Sequence, residues 1–261
     1  MPPADSSEIT NYKGGDNMQL YSITDRGKLR ENNEDYCMTK EIGGYTLLIL
    51  ADGMGGHKGG ETASRKAIEE ISAKLEKDLA EKLLPGQIML LLSEALESAN
   101  KEIIALSKSD PKLVGMGTTC DVCVISKNTA YIAHIGDSRV YKISKKGGPI
   151  RKLTKDHSLV EYMLETGAIT PEEAVNHPQK NVILRALGTS ENIEVDILHE
   201  KLSSGDVLLL CSDGLTNMLE ESVIAQTVSA ETSPEDCAAR LVQLANEAGG
   251  ADNITVVIAR Y

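Results

Sequence analysis

Leu47-Leu48-Ile49-Leu50-Ala51-Asp52-Gly53 decides how this chain is read. A run so apolar reads as a strand covered on both faces. It ends in an aspartate, where a buried strand meets solvent. Val207-Leu208-Leu209-Leu210-Cys211-Ser212-Asp213-Gly214 repeats the pattern far along the chain. Two further segments share its logic. The stretch 131–136 leads into Asp137, and Asp252-Asn253 stands just before Ile254-Thr255-Val256-Val257-Ile258-Ala259. Carboxylates gathered from four distant strand ends repel one another unless cations neutralise them. The pattern therefore points to a site for hard divalent metals.

Composition narrows the choice. The chain has 261 residues and an apolar fraction of 41%, enough for one large domain or two small ones. Phe and Trp are absent, so the core is aliphatic and no aromatic platform for single-stranded nucleic acid is expected. A formal net charge of -12 argues against binding a phosphate backbone, and no nucleic-acid partner is expected. No apolar run approaches the roughly 18–20 residues of a membrane helix, and no secretory signal is evident. Five cysteines, an odd number, suggest a reducing compartment and a cytoplasmic location. Cys120 and Cys123 form a lone C-x-x-C within an expected strand, where residues three apart face opposite sides. A structural reading is preferred there to zinc or redox chemistry.

Outward from the opening strand, residues 1–17 read as a flexible leader. Strands are expected at 19–24, 35–40 and 45–51, with Gly43-Gly44 as the turn between the last two. Ala63, Ala67, Ile68, Ile71, Leu75 and Leu79 make one face of a helix over 61–79. A second helix follows Pro85-Gly86 and runs to about residue 106. Strands at 118–126, 130–135 and 139–143 precede a helical insert over 157–187, within which Thr170-Pro171-Glu172-Glu173 looks like a capping box. Strands resume near 194 and 207, Ser233-Pro234-Glu235-Asp236 opens a last helix, and a strand over 254–259 closes the chain. Short strands mixed with helix pairs make the fold class α+β.

One cation joins the acids. Arg30 lies in Asp25-Arg26-Gly27-Lys28-Leu29-Arg30-Glu31-Asn32-Asn33-Glu34-Asp35, and its planar fork suits two phosphate oxygens. Glu34 and Asp35 can accept hydrogen bonds from metal-bound water. An arginine, several carboxylates and no evident protein nucleophile suggest metal-assisted hydrolysis of a phosphate ester. The chain has no cysteine with an arginine six residues later, no Asp-x-Asp and no G-x-x-x-x-G-K, which leaves other phosphate chemistries without their usual groups.

The ordered set Thr24-Asp25-Arg26-Gly27 with Arg30, Asn33, Glu34 and Asp35, then Ala51-Asp52-Gly53-Met54-Gly55-Gly56-His57, Gly115-Met116-Gly117-Thr118-Thr119, His134 with Gly136-Asp137-Ser138-Arg139, Cys211-Ser212-Asp213-Gly214 and Gly249-Gly250 with Asp252-Asn253 resembles the metal-dependent serine/threonine phosphatases of the protein phosphatase type 2C family, in its bacterial-type branch. The resemblance covers residues 18–261, one catalytic domain. It implies a four-layer α-β-β-α sandwich, two antiparallel sheets flanked by helix pairs, and places a flap at 157–187. It implies that Asp52 bridges two Mg²⁺ or Mn²⁺ ions, that Asp213, Asp252 and the Gly53 carbonyl complete them, and that Asp137 with Asp213 holds a third. Asp35 and Glu34 would act through bound water and Arg30 would bind the substrate phosphate. The implied reaction is hydrolysis of phosphoserine and phosphothreonine on proteins by a water bridging two metals, opposing a serine/threonine kinase, in a monomer. Relatives from eukaryotes carry a histidine where this chain has Met54. His57 is a candidate general acid in its place, against the plainer reading that it packs beside Gly55-Gly56. The competing readings are a phosphatase-like regulator without turnover and a phosphatase dedicated to one small phosphoprotein.

Overall fold

The computed structural model describes residues 10–13, 18–55, 58–79, 82–144, 150–175, 177–231 and 233–261. Twelve strands among them form two antiparallel sheets. The first has the order β1 (Thr10–Lys13), β2 (Gln19–Asp25), β12 (Ile254–Arg260), β11 (Val207–Cys211), β8 (Arg139–Ile143) and β9 (Arg151–Lys152). The second has the order β10 (Asp196–Lys201), β7 (Thr129–Ile135), β6 (Cys120–Ser126), β4 (Tyr45–Met54) and β3 (Asp35–Ile42), and β5 (Gly117–Thr118) pairs with the end of β4. The helices are α1 (Gly59–Asp78), α2 (Pro85–Ser109), α3 (Leu159–Glu165), α4 (Pro171–Val175), α5 (Asp213–Thr216), α6 (Glu221–Ala230) and α7 (Pro234–Glu247).

Strand parity explains the layers. Along β4, Leu47, Ile49 and Ala51 pack with α1 and α2, while Leu48 and Leu50 point the other way, into the space between the sheets. Along β11, Val207, Leu209 and Cys211 pack with α6 and α7, and Leu208 and Leu210 face inward. Three apolar cores result, one under each helical layer and one between the sheets. That arrangement is the expected α+β sandwich, and it is why the strands read as continuous apolar runs.

Three details differ from the sequence expectation. Within the stretch read as a leader, β1 pairs with β2 through Thr10↔Ser22 to Lys13↔Gln19. β4 does not stop at Asp52; it continues to Met54 because Gly53 and Met54 find a new partner in β5. Among the described residues, the helices of the insert after β9 are the short α3 and α4, with irregular chain between them. Cys120 lies in the core under α1 and α2 and Cys123 in the core between the sheets, as their spacing on one strand requires. All five cysteines are buried and none is in a disulfide. Among the described residues no helix is long and apolar enough to cross a membrane.

Candidate active site

The inward parity that carries Leu48 and Leu50 carries Asp52 as the next residue of its series, at one end of the inter-sheet space. Cys37 lies in the same inner core, and the same alternation puts Asp35 on that face of β3. Asp35 and Asp52 are direct partners in the β3–β4 ladder. Across the gap, Thr255 of β12 donates from Oγ1 to Asp35 Oδ2 at 2.7 Å. The polar end of the inner core is thus shared by both sheets.

Two more acids enter from the first sheet's side. Asp213 opens α5 directly after β11, and Asn217 Nδ2 donates to its Oδ2 at 2.9 Å. Asp252 precedes β12; its Oδ1 accepts from the Asn253 amide at 2.8 Å and its Oδ2 from Arg30 Nη2 at 2.6 Å. Asp137 sits in the turn between β7 and β8, nearly buried.

The acids feel one another. Burial raises Asp52 well above the usual carboxylate range, and the charges of Asp35, Asp213, Asp137 and Asp252 raise it further. Burial and then the charges of Asp213 and Asp252 push Asp35 up to about 7, against the hydroxyls of Thr255 and Ser212 that favour its ionised form. Asp137 is pushed up to about 7 by burial and by Asp213 and Asp156. Asp213 is pushed up to about 6 by burial and by Asp252, with Arg30 and Asn217 opposing. Burial acts to lower Arg30, but Asp252, Glu34 and Asp213 together leave it above its ordinary value. Arg30, Glu34, Asp35, Asp52, Asp137, Asp213 and Asp252 therefore converge.

Asp35 Oδ1 and Asp137 Oδ1 are buried with no hydrogen-bond partner. Orphaned carboxylate oxygens in a nest of like charge fit a hard cation, whose ligands are oxygens. Among the described residues no three of these groups already stand at the spacing of a closed metal shell. The fit rests on donor chemistry and on the mutual repulsion that a cation would relieve. Gly53 belongs to the same wall. A side chain there would meet the Gly60 carbonyl oxygen at 2.2 Å, so only glycine allows the backbone in so close. His57 lies outside the described residues.

Several residues that hold the site stand in the quoted motifs without a role assigned to them there. Asn253 is a hub: its Oδ1 accepts from the Glu34 amide at 2.8 Å, and its Nδ2 donates to the Arg26 and Asn32 carbonyls at 2.9 Å each. It ties the loop carrying Arg30 to the strand carrying Asp252. Thr118 Oγ1 donates to the Asp52 carbonyl at 2.9 Å, and Thr119 Oγ1 accepts from the Asp52 amide at 3.0 Å. Both belong to the Gly115–Thr119 motif, which by itself does not show these contacts.

The sequence pattern described as Protein phosphatase 2C matches residues 27–246, most of the chain and nearly all of this site. The chain belongs to the protein phosphatase 2C family. As a member it is an enzyme, a protein phosphatase. A curated relative, the serine/threonine phosphatase stp of Listeria monocytogenes serotype 4b, is 40% identical over 236 residues, covering 90% of this chain and 92% of its own. The solved serine/threonine phosphatase of S. agalactiae superposes with a TM-score of 0.86 at 38% identity, covering 93% of this chain and 98% of that one. The catalytic domain of the serine/threonine phosphatase PstP, solved in complex with two manganese ions, superposes with a TM-score of 0.81 at 36% identity, covering 93% and 97%. In this phosphatase both sheets contribute residues to the acid cluster.

Proposed function

We propose that this phosphatase hydrolyses phosphoserine and phosphothreonine on proteins, dependent on Mn²⁺ or Mg²⁺. The observation that carries the reading is the convergence of buried acids that raise one another, with one arginine at their edge. Asp52, Asp213, Asp252 and the Gly53 carbonyl would hold two ions, and Asp137 with Asp213 a third. Asp35 and Glu34 would act through ordered water. The presence of two manganese ions in the related PstP structure supports the count of two. When bound, the ions supply an acidified water and polarise the phosphoryl group.

The chain's own residues do the rest. Arg30 reaches into the site from a half-exposed loop and gathers two phosphate oxygens, which orients the ester. Asp35 and Glu34 accept hydrogen bonds and fix the attacking water. Thr255 and Ser212 hold Asp35 in its ionised form as the site fills. No side chain in the described site is a nucleophile of the serine or cysteine type poised on a base, so direct attack by water is favoured over a covalent route.

All the named groups come from one chain, which supports action as a monomer. A phosphoserine protein presupposes a kinase, and we place this enzyme opposite a serine/threonine kinase. Its five buried thiols suit the reducing cytoplasm. The test is turnover of a phosphothreonine peptide with Mn²⁺, with Mg²⁺ and with a chelator. Metal-dependent turnover that vanishes in Asp52→Asn supports the reading. Folded protein inert with every metal would overturn it.

A further inference from the structure

Behind the Asp137 turn lies a polar cluster that the reaction does not use. His134 on β7 and Asp121 on β6 are partners in the ladder and wholly buried. His134 Nδ1 is 2.7 Å from Asp121 Oδ1, and its Nε2 is 2.8 Å from the Lys155 carbonyl oxygen. That carbonyl can only accept, so Nε2 carries a proton and donates. The Asp121 carboxyl fixes the ring from the other side.

Lys155 lies in a loop bonded almost residue by residue to the β7–β8 connection and the start of β8. Thr154 Oγ1 accepts from the Val140 amide at 3.0 Å. Asp156 takes a fork from Arg139, Nε to Oδ1 at 3.0 Å and Nη2 to Oδ2 at 2.6 Å. His157 exchanges a reciprocal pair with Gly136: its amide donates to the Gly136 carbonyl at 2.7 Å and its Nδ1 accepts from the Gly136 amide at 3.1 Å. Burial and the neighbouring His134 push His157 down to about 4, so it is neutral, and its remaining proton sits on Nε2, 3.3 Å from Asp196 Oδ2. The His157 carbonyl in turn accepts from the Leu184 amide at 2.7 Å. Leu184 belongs to the returning arm of the 157–187 insert. Gly136 is the residue before Asp137.

We propose that His134, oriented by Asp121, is a positioning residue: by holding the Lys155 carbonyl it fixes a loop that clamps the Asp137 turn on one side and the base of the 157–187 insert on the other. The clamp links insert and acid centre into one unit, and the His134 ring, engaged at both nitrogens, joins the buried Asp121 to that loop. A purely space-filling histidine would not need a buried carboxylate beside it, since a buried ion pair is seldom a net source of stability. The functional half of this inference rests on the reading of Asp137 given above; the structural half does not.

The experiment compares His134→Leu and His134→Gln with the parent by amide hydrogen exchange on the metal-free protein. The glutamine amide can still donate to Lys155. In His134→Leu the amides of Gly136, His157 and Leu184 are expected to exchange about tenfold faster, as loss of one buried hydrogen bond implies. Amides of β11 and β12 should stay unchanged, and His134→Gln should recover most of the protection. With metal restored, kcat/KM for a phosphothreonine peptide should fall several-fold in His134→Leu and recover in His134→Gln. Exchange that rises uniformly through both sheets, or no recovery with glutamine, would overturn the proposal. Should His134→Leu not fold, Asp121→Asn carries the same exchange comparison, with faster exchange confined to those three amides as the expected result and uniform exchange as the refuting one. A parent protein without turnover would refute the function while leaving the exchange comparison intact.

Discussion

Asp35 faces Asp52 directly across the antiparallel β3–β4 ladder, two carboxylates where a sheet ordinarily avoids like charges. A carboxyl raised on folding keeps its proton in the folded chain at a pH where the unfolded chain has lost it. Stability of the metal-free protein therefore grows as pH falls from about 7, the value for Asp35, towards the unfolded carboxylate range, and is lost as pH rises through that window. In chelator at pH 7.5, Asp52→Asn should raise Tm by roughly 3 °C, and the gain should shrink by pH 5. Thermal unfolding at the two pH values checks this; a lower Tm for the variant at pH 7.5 would show that the acids are not in conflict.

Arg30→Ala should raise KM for a phosphopeptide by about 10–100-fold, the worth of a charged hydrogen-bonded contact, with a smaller loss in kcat. Inhibition by inorganic phosphate should weaken in parallel. Steady-state kinetics with both readouts decides it, and unchanged phosphate inhibition would remove Arg30 from the phosphate site.

Asp213→Asn should abolish Mn²⁺ binding seen by calorimetry together with turnover. Asn217→Ala, which removes the hydrogen bond to Asp213 Oδ2, should weaken binding by about tenfold, in the range for a partner that orients a ligand. Full activity in Asp213→Asn would sink the metal assignment.

Asn253→Ala deletes three hydrogen bonds that tie residues 26–34 to Asp252. Loss of about 2–4 kcal/mol is expected from the backbone groups left unpaired. Gly27→Ala should act at the same seam, because Gly27 has φ +74° and a side chain would lie 2.1 Å from the Asp252 carbonyl oxygen. Urea unfolding measures both, and a variant of either kind with parent stability would show that the loop is held by other means.

The acids were legible in sequence because each ends an apolar run or precedes one, and burial on both faces leaves such runs no alternative. Arg30 was legible by its acidic company. The contacts of the hydroxyls were not: Thr118 and Thr255 lie on strands and Thr119 and Ser212 in the gaps beside them, and no local pattern says which oxygen each one meets. α6 was missed because Ser222-Val223-Ile224-Ala225-Gln226-Thr227-Val228 mixes β-branched residues with no cap, and packing on β11 decides its form. The extension of β4 past Asp52 depends on β5, some sixty residues away in sequence, which no local signal announces. The same distance problem hid the His134–Asp121 pair: each residue looks like a satisfied polar side chain on its own strand.

The seam between the sheets has one more consequence. Asp35 and Asp52 belong to one sheet, Asp213 and Asp252 flank strands of the other, and Thr255 to Asp35 is the stitch between them. Neither half of the sandwich owns a usable fragment of the centre. The strands of the two sheets alternate along the chain, so the acids gather only when both sheets are packed together. On the function proposed above, activity is therefore expected to require both sheets packed together.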